Sequence, residues 1–216
     1  MRFKAVMFDL DGTLLNTLED IADSMNTVLQ KEGFKTHAFE AYKYFVGDGV
    51  EKMVSRALPE DQGQETLIRR CAQQYRDEYN KRWANKTKPY DGISDLLTAL
   101  EKNGLKLAIL SNKPDKSTKE VVSHFFPKQK FDIVQGARTD VPKKPDPTAA
   151  LNIATRLSVL PEYFLYLGDT DTDMKTAVAA GMYPVGVSWG FRTPEELREN
   201  GAKLIINKPA ELLNHL

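Results

Sequence analysis

The chain has 216 residues, 41% of them hydrophobic and 28% charged, which is the composition of a globular protein and excludes a predominantly disordered one. Thirty basic residues balance thirty acidic ones, so the totals give no support to a surface for nucleic acid or for an anionic membrane. The single cysteine, Cys71, excludes an internal disulfide and a cysteine-based zinc site. Acids interrupt the apolar N-terminus, and no apolar run approaches the ~20 residues of a membrane span, so we expect a soluble, cytoplasmic protein without a signal peptide.

Short apolar runs alternate with helical patterns along most of the chain. The runs are nearly continuous in apolarity, as in strands covered on both faces of a parallel sheet; they span 3–8, 105–110, 131–134, 163–167, 183–187 and 204–206. Helical periodicity lies between them, first over 93–100, where Asp91 is expected to cap the start and Gly104 to end the helix. Later helices are predicted over 115–126, 147–157 and 171–180. This alternation predicts a doubly wound parallel-sheet (Rossmann-like) α/β core with right-handed crossovers.

Residues 16–87 break the alternation, because only helical patterns occur there. An apolar stripe begins after a sequence typical of a capping box, Thr17 to Asp20, and ends at Gly33. A second stripe covers 50–57, and a long charged helix is predicted over about 62–83. We therefore expect an inserted all-helical cap domain, 16–87, on a core made of 1–15 and 88–216. The cap is expected to close over the carboxyl ends of the strands and to exclude water.

Polar residues follow several of the apolar runs, at the edge where an open α/β sheet binds its ligands. They are Asp9 and Asp11 after the first run, Ser111 to Lys113 after the second, Lys143 and Lys144 before a predicted helix, and Asp169, Asp171 and Asp173 after the run ending at Leu167. Carboxylates that meet at one point repel each other unless a cation lies among them, and hard oxygen ligands select Mg²⁺. A lysine and a hydroxyl beside them would neutralise a transferring phosphoryl group.

Two aspartates two residues apart suit phosphoryl transfer. An aspartate can accept a phosphoryl group and form an aspartyl-phosphate. Side chains alternate along extended backbone, so Asp9 and Asp11 emerge on the same side. Asp11 could then protonate the leaving oxygen and afterwards activate water.

Each of these residues also has a purely structural interpretation. Asp9 and Asp11 could belong to a turn, Asp171 could cap the helix that follows it, and Lys143 competes with Lys144 for the role of the cation. A calcium loop over 169–180 is disfavoured, because Met174 replaces the glycine and Ala180 the glutamate that such a loop needs.

Four motifs in order resemble those of the haloacid dehalogenase-like phosphohydrolase superfamily. They are Phe8-Asp9-Leu10-Asp11-Gly12-Thr13-Leu14, Ser111, Lys144-Pro145-Asp146-Pro147 and Gly168-Asp169-Thr170-Asp171-Thr172-Asp173. The resemblance implies that Asp9 attacks phosphorus and that Asp11 is the general acid and then the general base. It assigns Mg²⁺ to the Asp9 carboxylate, the Asp11 backbone carbonyl and Asp169, with Asp173 holding a metal-bound water. Ser111, the Asn112 backbone N–H and Lys144 would hold the phosphoryl oxygens, with Gly12 and Thr13 in support and Thr13 orienting Asp9.

The helical insert resembles the cap of the phosphoglycolate phosphatase-like branch of this superfamily. Val46-Gly47-Asp48-Gly49 carries the likeness, as do Ser111-Asn112-Lys113-Pro114 and Trp189-Gly190-Phe191. Asn16 and Thr17 depart from the aspartate and serine common in the family. The residues expected to read the substrate are Gly47, Asp48, Gly49, Lys52, Arg56 and Lys113, where a cation could meet a substrate carboxylate and Asp48 could repel one.

These features predict a Mg²⁺-dependent phosphatase that acts on a small phosphorylated metabolite similar to 2-phosphoglycolate. A sugar-phosphate mutase remains an alternative, because the same aspartyl-phosphate serves both reactions, and so does a non-catalytic relative that binds a phosphorylated ligand. No nucleic-acid or membrane partner is expected, and the chain is expected to be a monomer or a homodimer.

Overall fold

The computed structural model describes residues 2–216 and contains eight strands and nine α-helices there. The strands are β1 Ala5–Phe8, β2 Leu15–Asn16, β3 Lys88–Pro89, β4 Lys106–Pro114, β5 Ile133–Ala137, β6 Phe164–Gly168, β7 Tyr183–Val187 and β8 Leu204–Ile206. The helices are α1 Leu18–Lys31, α2 Tyr42–Phe45, α3 Val50–Ala57, α4 Glu65–Arg82, α5 Ile93–Lys102, α6 Asp115–Phe125, α7 Thr148–Leu157, α8 Asp171–Ala179 and α9 Pro194–Glu199. No helix within 2–216 is long and apolar enough to cross a membrane.

The chain divides into two compact units. One contains the residues up to Leu15 and Pro89–Leu216, and the other is Asn16–Lys88. The chain passes between them at β2 and again at β3, and these two short strands pair with each other. The first unit is the α/β core, and the second contains only helices between its terminal residues.

The core is built on a six-stranded sheet in the order β5-β4-β1-β6-β7-β8, with all pairs parallel. Every residue of β1 and β6 is buried, as expected for strands covered by helices on both faces. Each fully buried large apolar side chain contributes about 1.5–3 kcal/mol to folding, and Phe8, Phe164 and Tyr166 are among the largest of them. The structure confirms the doubly wound α/β fold that the apolar runs predict.

Two local predictions in the core are wrong. β4 does not end at Leu110 but continues to Pro114, with a shift in its pairing to β5 between these two residues, so Ser111 to Lys113 lie inside the strand. Helix α5 is not capped by Asp91. Its N-cap is Gly92, whose φ of 84° brings the chain into the helix without a side-chain cap. Only glycine adopts this left-handed conformation at little cost.

The helical unit starts differently from the predicted capping box. Thr17 precedes α1 with helical rather than extended backbone angles, and its hydroxyl is buried with no hydrogen-bond partner among residues 2–216. The Asp20 carboxylate does not fold back onto Thr17. It accepts hydrogen bonds from the backbone N–H groups of Lys86 and Thr87 and from the Thr87 hydroxyl, at 2.8–3.2 Å. Asp20 therefore joins the first helix of this unit to its last residues.

Glu78 on α4 is the centre of a charge cluster in the helical unit. Its carboxylate accepts hydrogen bonds from Lys31 of α1 at 2.6 Å and from Lys81 and Arg82 at 3.0 and 2.9 Å. The Lys31 and Lys81 hydrogen bonds lower the pKa of Glu78 from its ordinary 4.5 to about 2. A carboxyl whose pKa is lowered on folding stabilises the protein above its ordinary pKa and loses that contribution as the pH falls toward the lowered value.

We expect Glu78→Gln to lower the free energy of unfolding by about 1 kcal/mol at pH 7, because the lysines are exposed and solvent screens them. Urea unfolding at pH 7, 4.5 and 2.5 measures this. The difference from wild type should shrink as the pH falls from 4.5 toward 2. Glu65→Gln, which removes an exposed pair with Arg69, is the control and should change stability by less than ~0.5 kcal/mol. A difference that stays constant with pH would contradict this account.

Candidate active site

The strand order places the predicted site residues at one edge of the core sheet. β1 lies between β4 and β6, with Phe8 paired to Ile109 on one side and to Leu167 on the other. Asp9 follows β1, and its backbone N–H donates to the Leu167 carbonyl at 2.9 Å. The next strands of the sheet along the chain, β4 and β5, lie on one side of β1, and the later strands β6, β7 and β8 lie on the other side. Such a reversal of strand order opens a crevice at the carboxyl ends of the strands.

Lys144 joins two of the predicted acids. Its ammonium group donates to Asp9 Oδ1 at 2.8 Å and to Asp173 Oδ1 at 2.7 Å. The Lys144 side chain is only 3% exposed, and the Tyr166 hydroxyl lies 3.5 Å from the same Asp173 oxygen. Lys144 is therefore the cation that contacts Asp9 and Asp173, whereas Lys143 is exposed.

Asp169 is fully buried, and each of its carboxylate oxygens has a donor. Oδ1 accepts from the Thr13 hydroxyl at 2.8 Å, and Oδ2 accepts from the Phe191 backbone N–H at 2.9 Å. The Thr13 hydroxyl, which the resemblance assigns to orienting Asp9, therefore donates its hydrogen bond to Asp169. Asp9, Asp169 and Asp173 each place a carboxylate oxygen within 4.8 Å of the others.

Burial and mutual repulsion act on these acids. Burial, together with the charge of Asp173, raises the pKa of Asp9 from 3.8 to about 7, although Lys144 opposes the rise. Burial and the charges of Asp9 and Asp173 raise the pKa of Asp169 well above its ordinary value. Burial alone would lower the pKa of Lys144, but the charges of Asp173 and Asp9 outweigh it and raise that pKa. Lys144 contacts two of the three buried carboxylates, and a further cation would reduce the repulsion that remains among them.

The donor set fits a magnesium ion. All three side chains offer carboxylate oxygens, which are hard ligands, and their oxygens are close enough together to surround a single ion. The histidine and cysteine ligands that favour zinc are absent from this group among the described residues.

Asp11 lies in a tight turn and is held by Lys113. The Lys113 ammonium group donates to both Asp11 carboxylate oxygens, at 3.0 and 3.3 Å. Gly12 follows with a φ of 92°, and a Cβ there would lie 2.2 Å from Asp169 Oδ2. Glycine is needed at this position both for the left-handed backbone and for the close approach of Asp169.

Asn112 has a contact that the sequence does not reveal. Its side-chain amide donates to the Lys144 carbonyl at 3.1 Å and accepts from the Lys144 N–H at 3.0 Å. This pair of hydrogen bonds fixes the backbone of the residue that carries the ammonium group. Ser111 is 3% exposed, and its hydroxyl accepts from the Lys113 N–H at 3.2 Å.

The helix that follows Asp169 is capped by Thr170, so the interpretation of Asp171 as its cap is wrong. The two residues form a capping box: the Thr170 hydroxyl accepts from the Asp173 N–H, and the Asp173 carboxylate accepts from the Thr170 N–H. Asp171 is the first residue of α8 and pairs with Lys175 at 2.6 Å. The capping box orients Asp173, whose Oδ2 also accepts from the Thr170 hydroxyl at 2.7 Å.

The residues predicted to read the substrate belong to different units. Lys113 lies in the core, and Gly47, Asp48, Gly49, Lys52 and Arg56 lie in the helical unit. Arg56 forms an ion pair with the Asp48 carboxylate and donates to the Phe45 carbonyl at 3.0 Å. These contacts stabilise the loop between α2 and α3. Gly47 and Gly49 have φ values of 130° and 95° in that loop. Lys52 has no hydrogen bond or ion pair within 2–216.

The segment after β7 donates hydrogen bonds to Asp169, and the sequence does not reveal these contacts. Besides the Phe191 N–H, the Arg192 N–H donates to the Asp169 carbonyl at 3.2 Å. A Cβ on Gly190 would lie 2.2 Å from Asp169 Cβ and 2.6 Å from the Gly12 carbonyl oxygen. Glycine is therefore required at 190 because two backbone segments and the Asp169 side chain meet there.

We expect Gly190→Ala to displace Asp169 and to lower kcat by about 10²-fold, since small misplacements in an active site have effects of this size. Steady-state kinetics against Mg²⁺ concentration measures it, and the Mg²⁺ needed for half-maximal rate should rise. Gly63→Ala is the control, because a Cβ there has only one contact, at 3.9 Å. Unchanged kinetics in Gly190→Ala would show that Asp169 tolerates displacement.

Comparison with known proteins agrees with this geometry. The family model described as haloacid dehalogenase-like hydrolase matches residues 6–187. The phosphoglycolate phosphatase of Nitrosospira multiformis is 34% identical over 206 residues, which cover 94% of this chain and 91% of that protein. The phosphoglycolate phosphatase of Aquifex aeolicus is 30% identical and covers 99% of this chain and 98% of its own length.

A solved structure shows the same fold over the whole chain. The crystal structure of a protein from Lactobacillus delbrueckii subsp. bulgaricus matches with a TM-score of 0.93 and 30% identity, covering 100% of this chain and 98% of that one. The matched region contains all four motifs and the residues gathered around Asp9. The chain therefore belongs to the haloacid dehalogenase-like hydrolase family, in its phosphoglycolate phosphatase-like branch, and is a phosphoric monoester hydrolase.

Proposed function

We propose that this enzyme hydrolyses 2-phosphoglycolate, or a closely similar small phosphate monoester, with Mg²⁺ and through an aspartyl-phosphate on Asp9. The observation that carries the proposal is the buried group of Asp9, Asp169 and Asp173 around Lys144 at the carboxyl edge of the sheet. The names of the relatives support the substrate.

Asp9 is the proposed nucleophile. Lys144 binds Oδ1, whereas Oδ2 has no hydrogen-bond donor among residues 2–216, so one oxygen is positioned and the other is available to react. Its attack on phosphorus forms the Asp9–phosphate bond as the bond to the leaving oxygen breaks. The ammonium group of Lys144 neutralises charge on the phosphoryl group during this step.

Asp11 is the proposed general acid and base. In its protonated form it would donate to the leaving oxygen, and as a carboxylate it would then take a proton from the water that attacks the aspartyl-phosphate. Asp9 and Asp169, with Asp173 and the Asp11 carbonyl, would hold Mg²⁺, which supplies positive charge to the phosphate oxygens. Ser111 and the Asn112 backbone N–H are the proposed ligands of the phosphoryl oxygens.

The helical unit is proposed to act as a lid over the carboxyl ends of the strands, with its hinges at the two crossings between the units. Its loop of Gly47, Asp48 and Gly49, with Lys52, would meet the leaving group. Lys113 supports an anionic substrate, since a substrate carboxylate would compete with Asp11 for the same ammonium group.

A panel of phosphate monoesters assayed with Mg²⁺ tests the substrate. We expect steady release of inorganic phosphate, with the highest kcat/KM for 2-phosphoglycolate. A preference of ~10-fold for neutral sugar phosphates, equivalent to 1.4 kcal/mol of transition-state binding, would overturn this substrate. Quantitative isomerisation of a hexose phosphate would instead identify a mutase.

Magnesium binding can be measured without activity. We expect saturating Mg²⁺ to raise the Tm of wild type by about 5–10 °C over the protein in EDTA, because a ligand at 100 times its Kd adds about 2.7 kcal/mol of stability. Asp169→Asn should lose most of this rise, whereas Asp171→Asn, which changes a partly exposed acid on the same segment, should keep it. An equal rise in all three proteins would place the ion elsewhere.

A further inference from the structure

Tyr90 is a core residue that lies beside the catalytic loop. The chain re-enters the core at Pro89, and the backbone N–H of Tyr90 donates to the Leu14 carbonyl at 3.1 Å. Leu14 ends the first motif, which also carries Asp9 and Asp11. The backbone of Tyr90 is therefore bound to the segment that presents the nucleophile.

The Tyr90 ring pairs with the ring of Trp189. The two ring centroids are 6.4 Å apart and tilted by 54°, within the range of favourable aromatic pairs. The Trp189 indole N–H donates to the Thr13 carbonyl at 3.0 Å, and the Thr13 hydroxyl donates to Asp169. The aromatic pair is thus tied to the catalytic loop through Leu14 and through Thr13.

The Tyr90 hydroxyl has no hydrogen-bond partner anywhere within 2–216, and the residue is half-buried. Burial and the charges of Asp169 and Asp11 raise the pKa of its phenol, so the group stays protonated. A neutral donor on a residue whose backbone is bound to the first motif can give its hydrogen bond to a ligand. Most buried polar groups are hydrogen-bonded, so a donor without a partner in the protein is available to bind water or a ligand.

We propose that Tyr90 is a specificity-determining residue whose hydroxyl donates a hydrogen bond to a carboxylate or hydroxyl oxygen on the leaving group of the substrate. The inference rests on the proposed function of the same site and extends it. It assigns recognition of the leaving group in part to the core, where Lys113 is the other residue expected to read the substrate.

Tyr90→Phe tests this, because it removes one hydroxyl and keeps the ring against Trp189. We expect kcat/KM for 2-phosphoglycolate to fall by about 10-fold, the loss of one hydrogen bond in the transition state. Hydrolysis of p-nitrophenyl phosphate, whose leaving group has no carboxylate or hydroxyl beside the ester oxygen, should change by less than ~2-fold. The Tm should not fall, because the lost hydroxyl has no partner in the folded protein.

Tyr183→Phe is the matched control. Tyr183 is the first residue of β7 and lies at the amino ends of the strands, where its ring centroid is 5.5 Å from that of Phe3. We expect Tyr183→Phe to hydrolyse both substrates with the kcat/KM of wild type. An equal loss on both substrates would show that Tyr90 acts on the catalytic acids, and no loss on either would show that it touches no substrate. Either result overturns the proposal.

Failure of the proposed substrate gives a different result. If 2-phosphoglycolate is not the substrate, wild type will have its highest kcat/KM for another monoester of the panel. If the leaving group of that monoester carries hydroxyl or carboxylate oxygens, the ratio of its kcat/KM to that for p-nitrophenyl phosphate is measured in wild type and in Tyr90→Phe. An unchanged ratio overturns the role of Tyr90, and a preferred substrate without such oxygens overturns it as well.

Discussion

Replacing Asp9 with asparagine is expected to lower kcat by at least ~10³-fold, to the level of background hydrolysis. Asparagine has nearly the same shape, and its carbonyl oxygen can still accept the Lys144 hydrogen bond that holds Oδ1 at 2.8 Å. It cannot form the acyl-phosphate, because an amide oxygen is a far weaker nucleophile than a carboxylate. Phosphate release from the best substrate of the panel measures the loss.

Loss of activity in Asp9→Asn should come without loss of stability in EDTA. The pKa of Asp9 is raised to about 7 in the folded protein, so its ionisation weakens folding as the pH rises from 3.8 toward 7. A neutral asparagine removes this effect, and we expect the Tm at pH 7.5 in EDTA to equal or exceed that of wild type. Asp171→Asn, which changes a partly exposed acid of the fourth motif, should keep wild-type kcat.

The outcomes separate the roles of Asp9. Wild-type phosphate release from Asp9→Asn would show that another residue is the nucleophile. A variant that is inactive and also much less stable than wild type in EDTA would contradict the electrostatic account of the buried acids, though not the nucleophile.

Lys144→Met should lower both kcat and the free energy of unfolding, and its effect on kcat should be second only to that of Asp9→Asn. Methionine has a similar length but no charge, so Asp9 and Asp173 lose the ammonium group that lies within 2.8 Å of both. Removing one partner of a buried ion pair costs about 3–5 kcal/mol of stability, and we expect a loss near 3 kcal/mol in EDTA. We expect kcat with Mg²⁺ to fall by about 10²–10³-fold, the usual loss when a group that stabilises the transition state is removed.

Lys143→Met is the matched control for this variant, because Lys143 is adjacent in sequence but exposed. It should unfold at the same urea concentration as wild type and keep its kcat. Lys144→Arg restores a positive charge in a larger group and should recover part of the stability. Equal losses in Lys143→Met and Lys144→Met would contradict the special role of Lys144, and losses in Lys143→Met alone would assign that role to Lys143.

The fold and the location of the site could be predicted because both depend on local patterns. Apolar runs such as 163–167 predict buried strands, and the polar residues that follow them predict which edge of the sheet binds the ligand. The exact ends of elements were less predictable. β4 continues to Pro114 through polar residues, and the predicted caps Asp91, Thr17 and Asp171 are not those used, since capping depends on backbone angles that residue type alone does not fix.

Residue identity is enough to establish which chemical groups are present: an aspartate pair after the first strand, acids after a later strand, and a lysine before Pro145. Which of these groups meet depends on how the chain packs in three dimensions. Thr13 donates to Asp169, Asn112 fixes the backbone of Lys144, and Tyr90 lies against Trp189. The physical reason is that each pair joins segments far apart in the chain. Their contact is set by strand order and register, and by close approaches that only glycine permits, none of which hydrophobic periodicity encodes.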